Sequence, residues 1–254
     1  MKAMIFAAGL GTRLRPLTND RPKALVEVAG VTMLERVIRR ISEAGFDDIT
    51  INIHHFGDKI IEFLDRNDHF GLNIHISDER ELLLDTGGGI LQARPFLDGN
   101  EPFLVHNADI LTDLDLKAFY NAHSESDAVA SVLVKQRDTQ RYFLLDDENR
   151  LRGWTHMGTG EVRPAGLDPS PLRHRAFGGI HVISPAIFPL LEQYAAGRKV
   201  FSITPFYIDQ CDQHIFHGYE PADDYLWLDV GKPDTLEYAN RQFSQFSPKG
   251  SLKE

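Results

Sequence analysis

Over residues 4–134 the hydrophobic pattern switches again and again between a strand-like and a helix-like period. Residues 4–8 form a short continuous apolar run ended by Gly9, as a strand buried on both faces requires. From Thr32 onward Met33, Leu34, Val37, Ile38 and Ile41 recur at helical spacing, with Glu35, Arg36, Arg39, Arg40 and Glu43 on the other face and Gly45 closing the segment. Thr32 and Glu35 have the spacing of a capping box. Residues 48–53 then alternate like a strand, 59–64 read as helix and 73–76 as strand. A glycine-opened helix near 90–93, an apolar strand at 102–105, a helix at 116–123 and a strand at 128–134 follow. This rhythm predicts an α/β fold: a Rossmann-like three-layer α/β/α sandwich around a mixed, mostly parallel sheet. Ligands of such sheets bind outside the carboxyl ends of the strands, where Gly9, residues 86–89 and Asp109 fall.

After residue 135 the rhythm loosens. Residues 142–145 and 150–154 predict a hairpin around the acidic turn Asp146-Asp147-Glu148-Asn149. The stretch 158–172, with three glycines and three prolines, reads as a loop. Residues 177–183 return to strand, helices are expected near 185–195 and 203–211, and a strand at 214–219. Trp227-Leu228-Asp229-Val230-Gly231-Lys232-Pro233 leads into a closing helix. One domain is expected over 1–245, with a polar tail over 246–254.

The 254 residues carry 27 Lys and Arg against 37 Asp and Glu, a net charge of -10. Such a balance excludes a surface built to follow a nucleic-acid backbone, yet a few local cations still suffice for a small anionic substrate. Cys211 is the single cysteine, which rules out an intrachain disulfide and a multi-cysteine metal site; it reads as a buried thiol in a helix. No segment has the length of a membrane span, and the N-terminal apolar run is too short for a signal sequence. The expectation is a soluble, cytoplasmic protein, a monomer or small homo-oligomer, with no membrane or nucleic-acid partner. His54 and His55 read as polar residues at the site rim, because neighbours on a strand point opposite ways and make a poor metal pair. Trp154 and Trp227 read as packing residues.

The chemistry concentrates first in residues 8–23, which place two glycines, three arginines, a lysine and two prolines directly after the buried strand. Glycines at 9 and 11 let backbone N–H groups approach a polyphosphate, and Arg13 can add bidentate hydrogen bonds to its oxygens. The third glycine of a dinucleotide fingerprint and the G-K-[ST] ending of a P-loop are both missing. The whole string Ala7-Ala8-Gly9-Leu10-Gly11-Thr12-Arg13-Leu14-Arg15-Pro16-Leu17-Thr18, with Arg21-Pro22-Lys23-Ala24-Leu25, resembles the signature of the sugar-1-phosphate nucleotidyltransferase family, whose catalytic domain has a GT-A-like fold.

The resemblance covers nearly the whole chain and implies roles for particular residues. Ala8, Gly9, Gly11 and Thr12 would bind the nucleotide. Arg13 would hold the departing pyrophosphate and Lys23 would neutralise phosphate charge at the reacting centre. Leu84-Asp85-Thr86-Gly87-Gly88-Gly89-Ile90 matches a threonine-glycine run, so that Thr86, Gly87 and Gly88 would lie against nucleobase and ribose. His106-Asn107-Ala108-Asp109-Ile110 resembles an N-G-D element with Ala108 in place of its glycine, which makes Asp109 a magnesium ligand. Asp229, in a W-x-D-[IV]-G element, would be the second. Two carboxylates completed by phosphate oxygens and water suit Mg²⁺. Asp113 and Asp115 read instead as loop and helix-cap residues. Phe177-Gly178-Gly179-Ile180 resembles the strand under the sugar, so Asn107, Gly178 and Gly179 would bind the sugar phosphate. The E-K-P element that carries a phosphate-binding lysine in many members is absent; Arg141, Arg152 and Arg175 are candidates to replace it, and nothing in the sequence selects among them.

The activity implied is magnesium-dependent transfer of a nucleoside monophosphate from an NTP to a sugar 1-phosphate, giving an NDP-sugar and pyrophosphate. The compact form, a catalytic domain without the β-helix many members carry, is most similar to members using UTP with N-acetylmuramate 1-phosphate, and next to those using GTP with mannose 1-phosphate. Two other readings compete: a phosphocholine cytidylyltransferase-like enzyme and a non-catalytic nucleotide sensor. Arg13, Lys23, Asp109 and Asp229 together argue against a sensor, which has no need of two metal carboxylates.

Overall fold

A computed structural model describes residues 1–245; the expected polar tail over 246–254 lies outside the described residues. The chain runs β1 (Lys2–Phe6), β2 (Glu27–Val28), β3 (Val31–Thr32), α1 (Met33–Glu43), β4 (Asp48–Ile53), α2 (Gly57–Arg66), β5 (Asn73–Asp78), α3 (Asp85–Gln92), α4 (Arg94–Leu97), β6 (Phe103–Asn107), β7 (Ile110–Thr112) and α5 (Leu116–Ser124). It continues through β8 (Ala130–Lys135), β9 (Arg141–Leu145), β10 (Leu151–His156), β11 (Glu161–Arg163), β12 (Arg173–Ile183), α6 (Ile187–Ala195), α7 (Ile203–Gln210), β13 (Phe216–Tyr219), β14 (Trp227–Asp229) and α8 (Pro233–Gln245).

The main sheet has the order β11-β10-β9-β12-β6-β1-β4-β5, with β8 between β12 and β13. The β6-β1-β4-β5 part is parallel, as the strand-helix alternation requires. β12 runs antiparallel to β6, β8 and β9, which makes the sheet mixed. Successive side chains of β1 enter opposite layers: Ala3 and Ile5 join the core beneath α1, while Met4 joins the core beneath α3 and α6. This two-sided burial is why residues 4–8 are apolar without alternation. Helix α1 buries Met33, Leu34, Val37, Ile38 and Ile41, the face expected from their spacing. At its start Thr32 Oγ1 accepts from Glu35 N at 3.2 Å, but the Glu35 carboxylate turns to Arg39 at 2.8 Å, so only half of the capping box forms. Cys211 is buried, its thiol pushed up to about 11 by burial, with Sγ donating to Ile208 O.

Several elements differ from the sequence expectation or add to it. Helix α3 starts at Asp85, so residues 87–89 form its first turns and do not precede it. Gly87 and Gly88 sit where the helix backs directly onto the chain at 199–201, a Cβ on Gly87 lying 2.4 Å from the Phe201 ring and one on Gly88 2.2 Å from Lys199 O, while Gly89 faces Glu79, whose Oε1 a Cβ would approach to 2.9 Å. Within the expected loop 158–172, Glu161–Arg163 forms an edge strand on β10. Strand β12 begins at Arg173, pairs first with β9 and then with β6, and changes partner through an irregularity between Phe177 and His181. The last strand before α8 is short, and β14 leaves the main sheet to pair with β7.

Candidate active site

The carboxyl ends of β1 and β6 open into a cleft of about 400 Å³ lined by Ala8, Gly9, Lys23, Thr86, Asn107 and Asp109 among others. The loop after β1 reaches it by folding on itself. Gly11 has φ +62, its missing side chain leaves room for the Lys23 stem and Thr18, and Thr18 Oγ1 donates to Gly11 O at 2.9 Å. Thr12 and Arg13 then form a short 3-10 turn, and Lys23 returns over the cleft to form an ion pair with Asp109 Oδ2.

Asp109 and Asp229 come together through the small β7/β14 sheet. Asp229 stands opposite Ile110, and the N–H of Val230 donates to the carbonyl oxygen of Asp109 at 2.8 Å. Asp229 Oδ1 is buried without a hydrogen-bond partner. Its carboxyl is pushed up from the usual range, first by burial and then by the charge of Asp109, while Lys23, Arg13 and Arg137 act in the opposite sense. Gly231 makes the crowding possible: a Cβ there would lie 2.7 Å from Asp229 Oδ1 and 3.0 Å from Arg13 Nη2. Among the described residues no cluster of three or more His, Cys, Asp or Glu side chains could hold a metal. A buried, unpartnered carboxylate oxygen beside a second carboxylate nonetheless fits a hard divalent cation that draws its remaining ligands from phosphate and water.

Gly87 and Gly88 are not brought to the cleft wall. Their side-chain positions face residues 199–201, and their N–H groups donate to Phe201 O at 2.9 and 3.1 Å. Of this run it is Thr86, with Asp85, that faces the cleft. On the far side, Gly179 has φ +75 and lies so close to Asn107 that a Cβ would meet its Nδ2 at 2.9 Å. Gly178 O accepts from Trp227 Nε1 at 2.8 Å, so Trp227 fixes this segment as well as packing.

Sequence reasoning missed three residues. Asn52 and Glu79, at the ends of β4 and β5, are 3% and 2% exposed and line the cleft floor. Asn52 Oδ1 accepts from Ala7 N at 2.7 Å and Ala8 N at 3.3 Å; its Nδ2 donates to Glu79 Oε1 at 2.8 Å, and Glu79 Oε2 accepts from Leu84 N at 3.0 Å. A lone amide among the isoleucines of residues 48–53 was the available signal. His54 Nδ1 lies 2.7 Å from Glu79 O, while His55 packs on Phe56. The third is Arg137, stacked over Trp227. Of the arginines proposed from sequence, Arg152 is paired with Asp146 and Arg175 with Glu220, and Arg141 is exposed at the start of β9. None of these three lines the cleft.

A parallel sheet with a glycine loop, a lysine and paired carboxylates at its carboxyl edge defines a nucleotide-handling α/β protein. Comparison with known proteins makes this specific. Residues 2–152 match the nucleotidyl transferase family. The chain is 35% identical over 240 residues to N-acetylmuramate alpha-1-phosphate uridylyltransferase of Neisseria meningitidis, covering 94% of this chain and 96% of that protein. It is 33% identical to the enzyme of the same name from Caulobacter vibrioides, covering 96% and 97%. The fold matches that of HddC from Yersinia pseudotuberculosis, solved with GMP-PN, with a TM-score of 0.73, 23% identity and coverage of 95% and 99%. The chain belongs to the nucleotidyl transferase family and is an enzyme of the sugar-1-phosphate nucleotidyltransferase class.

Proposed function

We propose that this enzyme transfers UMP from UTP to N-acetylmuramate 1-phosphate, releasing pyrophosphate. The observation that carries the reading is the Asp109 and Asp229 pair, held together by the Val230 hydrogen bond and faced by Lys23 and Arg13. The choice of UTP and of this sugar is supported by two uridylyltransferases of that name that match along nearly their whole length.

An oxygen of the acceptor phosphate attacks the α-phosphorus of UTP, and the bond from that phosphorus to the bridging β-oxygen breaks, so pyrophosphate leaves. No general base is needed, since the attacking phosphate is already ionised. Lys23 offsets the repulsion between the two anions, and Arg13 receives the charge gained by the leaving pyrophosphate. The N–H groups of the loop after β1 line the polyphosphate path, with Ala8, Gly9, Gly11 and Thr12 along it, and Thr86 sits beside the nucleoside. Asn107, Gly178 and Gly179 bound the sugar side. Asp109 and Asp229 would hold Mg²⁺, which when bound supplies positive charge to the phosphates. A cytoplasmic setting, where nucleoside triphosphates are abundant, suits this chemistry.

The test is pyrophosphate release across UTP, GTP, CTP and dTTP, each with N-acetylmuramate 1-phosphate, mannose 1-phosphate and choline phosphate, with and without Mg²⁺. The expected result is turnover by UTP with N-acetylmuramate 1-phosphate, dependent on the metal. Preferential turnover of GTP with mannose 1-phosphate, or of CTP with choline phosphate, overturns the substrate assignment. Nucleotide binding with no turnover in any pair overturns the catalytic one.

A further inference from the structure

We infer that Arg137 anchors the phosphate of the acceptor sugar, an inference that rests on the transferase reading above. Glu79 and Thr86 line the cleft on its β4–β5 side; Gly178, on β12, and Arg137, just after β8, do not line it but stand beyond it on the opposite side in the sheet order. Asn107, the last residue of β6, and Asp109, just after it, lie between them. A ligand touching Arg137 therefore approaches the carboxylate pair from the side away from Thr86, where a second, acceptor phosphate must enter if the nucleotide fills the other half.

The guanidinium is held for such a role. Its Cζ lies 4.9 Å from the Trp227 ring centroid, and Nη2 donates to Phe177 O at 3.2 Å. Trp227 is tethered in turn to Gly178 O, so cation and aromatic face are fixed to successive carbonyls of one segment. Trp227 and Asp229 are two apart on β14 and share a face, which puts the charge of Arg137 on the face that carries the Asp229 carboxylate. Two residues back along each segment the pattern repeats, with Lys135 Nζ 4.2 Å from the Tyr225 ring.

Arg137 also keeps its hydrogen-bonding capacity. An arginine offers five N–H donors. Here Nε is buried without a partner, Nη2 makes one bond, to Phe177 O, and among the described residues no ion pair to the side chain is seen, so the capacity left for a ligand lies in the N–H groups of Nη1 and Nη2. Arg152 and Arg175, by contrast, are neutralised by Asp146 and Glu220. A stacked, ion-pair-free guanidinium with donors left on Nη1 and Nη2, near enough to Asp229 to act on its carboxylate, is matched to a phosphate monoester, which can take two of its hydrogen bonds at once.

The test uses Trp227 emission in a Trp154→Phe background, titrated separately with UTP and with N-acetylmuramate 1-phosphate in Mg²⁺. Arg137→Ala is expected to weaken the sugar phosphate by about tenfold to a hundredfold and UTP by less than about twofold. Arg137→Lys, which keeps the charge and stem, should fall between, and Arg141→Ala should match the parent; thermal melts check folding of each. The inference is overturned if Arg137→Ala binds the sugar phosphate as tightly as the parent, or loses UTP affinity instead. If the parent ignores N-acetylmuramate 1-phosphate but binds mannose or glucose 1-phosphate, the substrate assignment falls, and Arg137 is judged by the same comparison with that ligand. A parent that binds none of the three overturns both.

Discussion

Asn52 and Glu79 are joined side chain to side chain, Nδ2 to Oε1 at 2.8 Å, beneath the point where β1 turns into the nucleotide loop. The pair is buried, and its outer oxygens hold the N–H groups of Ala7, Ala8 and Leu84. Two cleft walls, the loop after β1 and the segment leading to Thr86, are thus tied to one another through two side chains.

Replacing Asn52 by Ala leaves three buried groups without their partner, so a stability loss of about 1 to 3 kcal/mol is expected. Glu79→Gln is a sharper probe. Both glutamate oxygens accept, whereas glutamine offers one acceptor and one donor, so either Asn52 Nδ2 or Leu84 N loses its partner. Urea unfolding should show a comparable loss for both variants, with a raised KM for the nucleotide. Unchanged unfolding midpoints would mean that the pair does not support the cleft.

The two carboxylates should respond differently to neutralisation. Asp109 has a cationic partner in Lys23, whereas Asp229 Oδ1 is buried with none and faces the repulsion of Asp109. Asp229→Asn removes that repulsion, so metal-free protein is expected to melt no lower than wild type while turnover falls at least about a hundredfold. Asp109→Asn leaves Lys23 unpaired and should lower both. Equal destabilisation by the two substitutions would contradict this account of the site.

Gly231→Ala tests how closely Arg13 and Asp229 must approach. The added methyl would stand 2.7 Å from Asp229 Oδ1 and 3.0 Å from Arg13 Nη2, forcing the two apart by a fraction of an ångström. Catalysis is sensitive to such displacements, and kcat should fall about tenfold or more with only a small change in melting temperature. A variant with wild-type kcat would show that the two groups need not be adjacent.

What the sequence disclosed follows from physical locality. The central strands β1 and β6 are buried on both faces and so read as apolar runs, while β4 and the edge strand β5 show through the alternation of their isoleucines. Strand β11 was hidden because Glu161-Val162-Arg163 is three residues on a sheet edge with two charged side chains outward. The start of α3 was hidden because glycines, poor helix formers in isolation, are held helical there by Phe201 and Lys199, more than a hundred residues away. The loop residues, Asp109 and Asp229 stood out through motif resemblance. Asn52, Glu79 and Arg137 did not, since their significance depends on which other strand ends they face.

Acid should destabilise the fold through buried histidines. His123 is 2% exposed and sits between Ser131 Oγ, 2.8 Å from Nδ1, and Ser184 Oγ, 2.9 Å from Nε2. Burial pushes its pKa down to about 4, with His217 adding in the same sense. His181, whose Nδ1 lies 2.9 Å from Tyr207 Oη, is pushed down to about 3 by burial and by His106. A folded-state pKa below the unfolded value of roughly 6.5 means that the unfolded chain binds the proton first. The stability from the neutral imidazole is therefore complete above about pH 6.5 and lost as pH falls toward about 4, with a limiting slope of about 1.4 kcal/mol per pH unit for each histidine. Urea unfolding of metal-free protein between pH 7.5 and 4.5 should show this decline. His123→Gln, which can still reach one serine but does not titrate, should lower stability at pH 7.5 and flatten the slope. A wild-type profile that stays level down to pH 5 would rule out the buried histidines as the acid-labile groups.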